Sequence, residues 1–252
     1  MRITILQTDI AWADVQENIR RAEALMLQAG PAADLYVLPE MWGTGFAVEP
    51  QGVAEDEEQS VALAWMKRQA ALRHCAFSGS LAVRLADGSY RNRHYFVTPQ
   101  TVVHYDKRHL FTHGHEDQHY TAGEEAVVAE WCGMRLLLQT CYDLRFPVFA
   151  RYGRAGEYDA IIYAANWPAK RNEAWQVLMR ARAMENQCLV IAVNRTGDDP
   201  NCHYAGDSAI INPLGRYVGH CSDMPGWASY EVTAEDIAQV RSRFRVLDDR
   251  DR

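Results

Sequence analysis

No apolar run in this sequence approaches the roughly 20 residues that a membrane-crossing helix needs, so a membrane-spanning protein is not expected. The stretch from Ile3 is interrupted by Asp9 and leads to no small-residue cleavage site, which argues against a signal peptide. Clustered basic charge is lacking too. Lys and Arg number 26 against 33 Asp and Glu, a net charge of −7. That balance argues against a nucleic-acid or anionic-membrane surface, where binding phosphates demands concentrated Lys and Arg. The Arg-rich end from Arg241 to Arg252 is broken by Asp248, Asp249 and Asp251, and it reads as a solvated tail rather than a phosphate-binding arm. No Gly/Ser/Pro-rich stretch, like-charge block or fixed-period repeat divides the chain, so one domain over residues 1–252 is expected. Cys75, Cys132, Cys141, Cys188, Cys202 and Cys221 lie far apart in a chain large enough to fold without staples. They read as reduced thiols of a cytoplasmic protein, most of them core filler.

What the sequence does contain is apolar periodicity. A short run at Ile3–Leu6, a helical pattern from Asp14 to Ala29 and a second run at Leu35–Leu38 read as strand, helix, strand, a connection that suits parallel pairing. A helix around Ser60–Arg73 leads to strand candidates at Phe77–Val83, His94–Thr98, Val102–Tyr105, Ala126–Glu130 and Arg135–Gln139. The second half repeats the theme. Strand Ala160–Ala164, helix Glu173–Asn186 and strand Leu189–Asn194 precede strands near Ser208–Asn212, Tyr217–His220 and Ala228–Val232. Strands interleaved with helices predict a layered α/β fold.

Three polar residues directly follow buried-looking strands: Glu40 after Leu35–Pro39, Lys107 after Val102–Asp106, and Cys141 after Leu136–Thr140. The carboxyl ends of strands in α/β sheets are where side chains converge on ligands. A thiol attacking a carbonyl or nitrile carbon needs a base for its proton and a cation for the developing charge, and Glu40 and Lys107 can supply them. Taken singly, each has an ordinary reading: a packed Cys, a solvated loop Glu, a surface Lys. Their joint occurrence in context changes the reading.

That context resembles the nitrilase superfamily of carbon–nitrogen hydrolases. Leu38-Pro-Glu-Met-Trp-Gly-Thr-Gly-Phe46, Tyr105-Asp-Lys-Arg-His-Leu-Phe111 and Gln139-Thr-Cys-Tyr-Asp-Leu-Arg-Phe-Pro147 are similar, in order, to the segments carrying that family's catalytic Glu, Lys and Cys. The resemblance extends from Ile3 to about Leu247, with further matches at Asn166-Trp-Pro168, Ala181–Gln187 and Gly206-Asp-Ser208. It implies Glu40 as base, Lys107 as oxyanion cation and Cys141 as nucleophile. The family's second active-site Glu maps to Glu116, seven residues before Gly123, with Asp117 as its neighbour. Tyr142 would lend its backbone N–H to the oxyanion. The implied fold is a four-layer α-β-β-α sandwich of two mixed sheets, dimerising through its outer helices.

No metal or other cofactor is expected. His113, His115 and His119 tempt a zinc reading, but their spacing matches no standard motif. Asp143 and Arg145 are read as a structural ion pair fixing the nucleophile loop rather than as substrate ligands. Trp12, Trp131 and Trp175 read as core or interface residues, whereas Trp42, Phe46 and Trp167 lie in motif segments and are candidates for the pocket wall. Within the superfamily the chain looks most similar to bacterial omega-amidases, which act on small 2-oxo dicarboxylic acid monoamides. A carboxylate-bearing substrate calls for a forked cation, and Arg171, or Lys170 beside it, is the candidate. Alternatives are another aliphatic amidase, an N-carbamoyl hydrolase, a nitrilase, or a non-catalytic scaffold member.

Overall fold

Alternation along buried strands sets the layering. In the computed structural model, which describes residues 1–250, the first half of the chain forms β1 (Arg2–Gln7), α1 (Val15–Gln28), β2 (Leu35–Val37), β3 (Glu55–Asp56), α2 (Val61–Arg73), β4 (Ala76–Arg84), β5 (Tyr90–Val97) and β6 (Val102–Asp106). The second half adds β7 (Val127–Trp131), β8 (Met134–Thr140), β9 (Ala160–Ala165), α3 (Asn172–Asn186), β10 (Leu189–Asn194), β11 (Thr196–Asp198), β12 (His203–Ala205), β13 (Ala209–Ile211), β14 (Tyr217–His220), β15 (Gly226–Glu231) and α4 (Ala234–Arg243). One sheet has the order β15-β1-β2-β4-β5-β6 with β3 beside β4, and the other has the order β14-β13-β10-β9-β8-β7. Strands β1, β2 and β4 pair in parallel, as do β8, β9 and β10 and the short β3 with β4, while the remaining pairings of these two sheets are antiparallel.

Successive residues of a strand face opposite sides of the sheet. Ile5 therefore enters the cluster between the two sheets while Leu6 meets the helix side. Leu136 and Leu138 likewise face the other sheet, and Leu137 between them joins Trp175 and Met179 of α3. With α1 and α2 closing the first sheet around Trp65, Met66 and Phe77, the result is the expected α-β-β-α sandwich. Every central strand is buried on both faces, which explains its near-continuous apolar sequence.

The helix starts expected at Asp14 and Ser60 are N-caps: the Asp14 side chain accepts from the Glu17 N–H at 2.9 Å, and Ser60 accepts from Leu63 N–H at 3.0 Å. The strand expected at Ala126–Glu130 lies one residue later. The hairpin β11–β12 and helix α4 were not expected. Neither has a clear apolar period; among α4 residues only Ile237 is buried. Within the described residues, no helix is long and apolar enough to cross a membrane.

The solvated-tail reading of Arg241 onward needs correction. Arg241 donates from Nε to the Gln187 carbonyl at 2.9 Å and from Nη2 to the Tyr158 carbonyl at 2.8 Å, and its guanidinium covers the Tyr152 ring. Leu247 is buried as well. The charged appearance of the segment misleads because a long Arg stem covers apolar surface while its head binds free carbonyls. Asp251 and Arg252 lie outside the described residues.

Candidate active site

Glu40 and Lys107 leave the first sheet and Cys141 leaves the second, so the three meet on the seam between the sheets. Hydrogen bonds that involve side chains fasten that seam. Asn166, at the end of β9, donates its N–H to Glu40 Oε2 at 2.9 Å and its Nδ2 to the Glu40 carbonyl at 2.8 Å. His94 of β5 joins Ser78 Oγ at 2.8 Å through Nε2 and the Gln139 carbonyl at 3.0 Å through Nδ1. Full burial pushes the His94 imidazole down to about 4, so it is neutral. Because a carbonyl only accepts, its proton is assigned to Nδ1.

Lys107 is buried with its ammonium between two buried carboxylates: Nζ is 2.8 Å from Glu40 Oε1 and 2.8 Å from Glu116 Oε2. Burial opposes its charge, but Glu116 and Glu40 outweigh that cost and hold the ammonium well above the ordinary lysine range. Glu116 is pushed up, chiefly by burial, with Lys107 pulling the other way and Glu40 adding repulsion. Its neighbour Asp117 is exposed, so of the two adjacent carboxylates it is Glu116 that meets Lys107. The loop carrying Glu116 returns to the Lys107 strand at Gly123, whose N–H donates to the Lys107 carbonyl at 3.0 Å. A Cβ at Gly123 would lie 2.2 Å from the Asp106 carbonyl oxygen, so only glycine fits that crossing.

Cys141 has a φ of 45°, a left-handed conformation that L residues seldom adopt. It begins a single 3-10 turn, Cys141–Arg145, straight after β8. Asp143 holds this turn: its Oδ2 accepts from the Thr140 N–H at 2.9 Å and the Tyr105 hydroxyl at 2.7 Å, and its Oδ1 accepts from the His109 N–H at 3.0 Å. His109 Nδ1 also lies 2.7 Å from that Oδ1. Burial, helped by Glu40 and opposed by Lys107, pushes the Cys141 thiol well above its usual value. The Lys107 ammonium favours the ionised sulfur, and burial opposes it more strongly.

The thiol opens on a cavity of about 290 Å³. Phe46, Tyr142, Trp167 and Arg171 all line it. Trp42 does not: it is buried in the first-sheet core against Trp65. Trp175 is core, and Lys170 is exposed and absent from the cavity wall. The expected Asp143–Arg145 ion pair is not formed. Asp143 is occupied by His109, Tyr105 and Thr140, whereas Arg145 turns into the cavity with its guanidinium 4.9 Å above the Trp167 ring. Alternation on a one-turn helix explains the divergence, since residues two apart point to different sides. Arg171 lies 5.2 Å over the Phe111 ring. Neither guanidinium has a carboxylate or hydrogen-bond partner among the described residues. His113, His115 and His119 form no group of metal-binding geometry among those residues.

Sequence reasoning misses Asn92 and places Arg145 in an ion pair rather than in the cavity. Asn92 lies on the inter-sheet face of β5 and donates from Nδ2 to Glu40 Oε1 at 2.7 Å and to Glu116 Oε1 at 2.9 Å. An Asn alternating with His94 and Phe96 on a buried strand was the available signal, because buried amides require partners.

A sequence profile described as carbon-nitrogen hydrolase matches residues 2–242. The chain belongs to the carbon-nitrogen hydrolase family. It is 40% identical to the omega-amidase YafV of Yersinia enterocolitica, covering 100% of this chain and 97% of that protein. It is 35% identical to the 2-oxoglutaramate amidase of Bacillus subtilis, with coverage of 98% and 96%. Among solved structures, XC1258 of Xanthomonas campestris, a CN-hydrolase superfamily protein with an arsenic adduct in its active site, superposes with a TM-score of 0.94 at 39% identity, covering 100% of this chain and 97% of that one. This carbon-nitrogen hydrolase is therefore an enzyme of the amidase kind, on the fold that the nitrilase resemblance implied.

Proposed function

We propose that this chain is an omega-amidase that hydrolyses the terminal amide of 2-oxo dicarboxylic acid monoamides such as 2-oxoglutaramate and 2-oxosuccinamate. The observation that carries the reading is a small cavity lined by Cys141 and by two guanidiniums, Arg145 and Arg171, that have no anionic partner among the described residues. A substrate with an amide at one end and a 2-oxo acid at the other supplies what each end lacks. The relatives named for omega-amidase and 2-oxoglutaramate amidase support the same substrate class.

In the proposed cycle Cys141 Sγ attacks the amide carbon as Glu40 takes the thiol proton. Lys107 Nζ and the Tyr142 N–H receive the developing oxyanion, as preorganised donors in a water-poor site. Glu40 passes the proton to the departing nitrogen, ammonia leaves, and a thioester remains. Water then attacks the thioester with Glu40 as base, and the thiol is restored. Glu116 keeps Lys107 charged and in place. Phe46 and Trp167 shape the walls, and one or both arginines hold the carboxylate.

We also read the protein as a cytoplasmic homodimer. Six free thiols suit a reducing compartment. Exposed Val148, Val177, Met184 and Leu214, on the α3 side, support an apolar contact between copies. The decisive assay is ammonia release from 2-oxoglutaramate, 2-oxosuccinamate, glutamine, an aliphatic amide, a carbamoyl amino acid and a nitrile, with Cys141→Ala alongside. Fast turnover of the oxo-acid amides, absent in the variant, is expected; turnover confined to another substrate would overturn the assignment.

A further inference from the structure

Asn92 is 1% exposed and sits between two carboxylates that share a single ammonium. Its orientation is fixed by a chain of donors. The Met41 N–H, which can only donate, gives its proton to Ser80 Oγ at 2.9 Å. The Ser80 hydroxyl in turn donates to Asn92 Oδ1 at 2.8 Å, so Nδ2 must face Glu40 and Glu116. Glu40 Oε1 then takes donors from both Asn92 and Lys107, which fills its lone pairs, whereas Oε2 accepts a single N–H, that of Asn166, among the described residues.

We infer that Asn92, oriented by Ser80, is a positioning residue for amide hydrolysis: it selects Oε2 as the proton-accepting oxygen of Glu40 and keeps the Glu40–Glu116 pair free to accept a proton. The inference rests on the proposed role of Glu40 as base. Lys107, with its single positive charge, cannot balance two carboxylates, and the cluster carries a net charge of −1 when both are ionised. A neutral amide that donates to both favours the ionised pair without adding charge. The other titratable groups facing the pair are Cys141 and Tyr120, and the Tyr120 hydroxyl is committed to the Ala47 carbonyl. Glu40 and Glu116 share Lys107 and Asn92, so the effect of a substitution there is read from the whole pH profile.

The test measures kcat and KM for amide hydrolysis from about pH 5 to about pH 9 in Asn92→Ala, Ser80→Ala and Glu40→Gln proteins, with Tm recorded for each. Asn92→Ala is expected to lower kcat roughly 10- to 100-fold, to leave KM within about threefold, and to move the acid limb of kcat/KM up by about one pH unit. Ser80→Ala, which leaves the amide in place but free to turn, moves that limb in the same direction by less. An acid limb at the wild-type position in Ser80→Ala and Asn92→Ala, or a loss residing in KM, overturns the inference. Should Asn92→Ala fail to fold, Ser80→Ala decides alone. Glu40→Gln separates the two ideas: an inactive Glu40→Gln with an unmoved limb in the others rejects only the role of Asn92, whereas an active Glu40→Gln rejects the base and the inference together.

Discussion

Replacing Arg145 by Met removes a cation while keeping an unbranched side chain over Trp167. Among the described residues that guanidinium has no anionic partner, so a substrate carboxylate would be its first anion. A charge-assisted hydrogen bond contributes about 1.5–3 kcal/mol, equivalent to roughly 10- to 150-fold in kcat/KM. Loss of the contact with the indole accounts for about 0.5–1 kcal/mol at most, and it acts on every substrate alike. Steady-state ammonia release should therefore fall roughly 10- to 150-fold for 2-oxoglutaramate but no more than about fivefold for a carboxylate-free amide of similar length. Repeating the experiment with Arg171→Met and the double variant locates the anion. Losses that add assign the two arginines to separate groups of the substrate, and losses that fail to add place both on one carboxylate. Equal losses for the charged and neutral amides would refute the reasoning, because they would show the arginine shaping the pocket rather than reading charge.

The neutral, buried His94 makes stability depend on pH. Its folded value is about 4 against 6.5 for the free side chain, so below about 6.5 the unfolded chain binds a proton that the native chain refuses. Its contribution is complete above that value and is lost as pH falls through about 4, a span worth about 3 kcal/mol. Urea unfolding at neutral pH and near pH 4 should show that much extra loss in the wild type relative to His94→Gln; parallel pH dependences would exclude it. Lys107→Met leaves Glu40 and Glu116 facing each other without a cation, and it should abolish turnover and cost about 3–5 kcal/mol of stability. Adding Glu116→Gln should restore much of that stability but none of the activity, and recovery of both would contradict the oxyanion role proposed for Lys107.

Local pattern alone placed most strands within a residue or two, the helix starts at Asp14 and Ser60, and the polar residues that follow β2, β6 and β8. These follow from backbone geometry: a strand buried on both faces is mostly apolar, a helix needs a cap, and a charged residue soon after such a strand marks where the strand ends. Resemblance to a family then joined Glu40, Lys107 and Cys141 into one site. Periodicity does not encode which partner a side chain meets. Glu40 and Asn166 are 126 residues apart, and only the closure of the two sheets brings that backbone N–H to that carboxylate. Asn92 became a bridge between carboxylates, Arg145 turned away from Asp143 into the cavity, and Arg241 bound carbonyls instead of water for the same reason. Their roles depend on contacts between segments distant in sequence, and those contacts are fixed only when the layers pack.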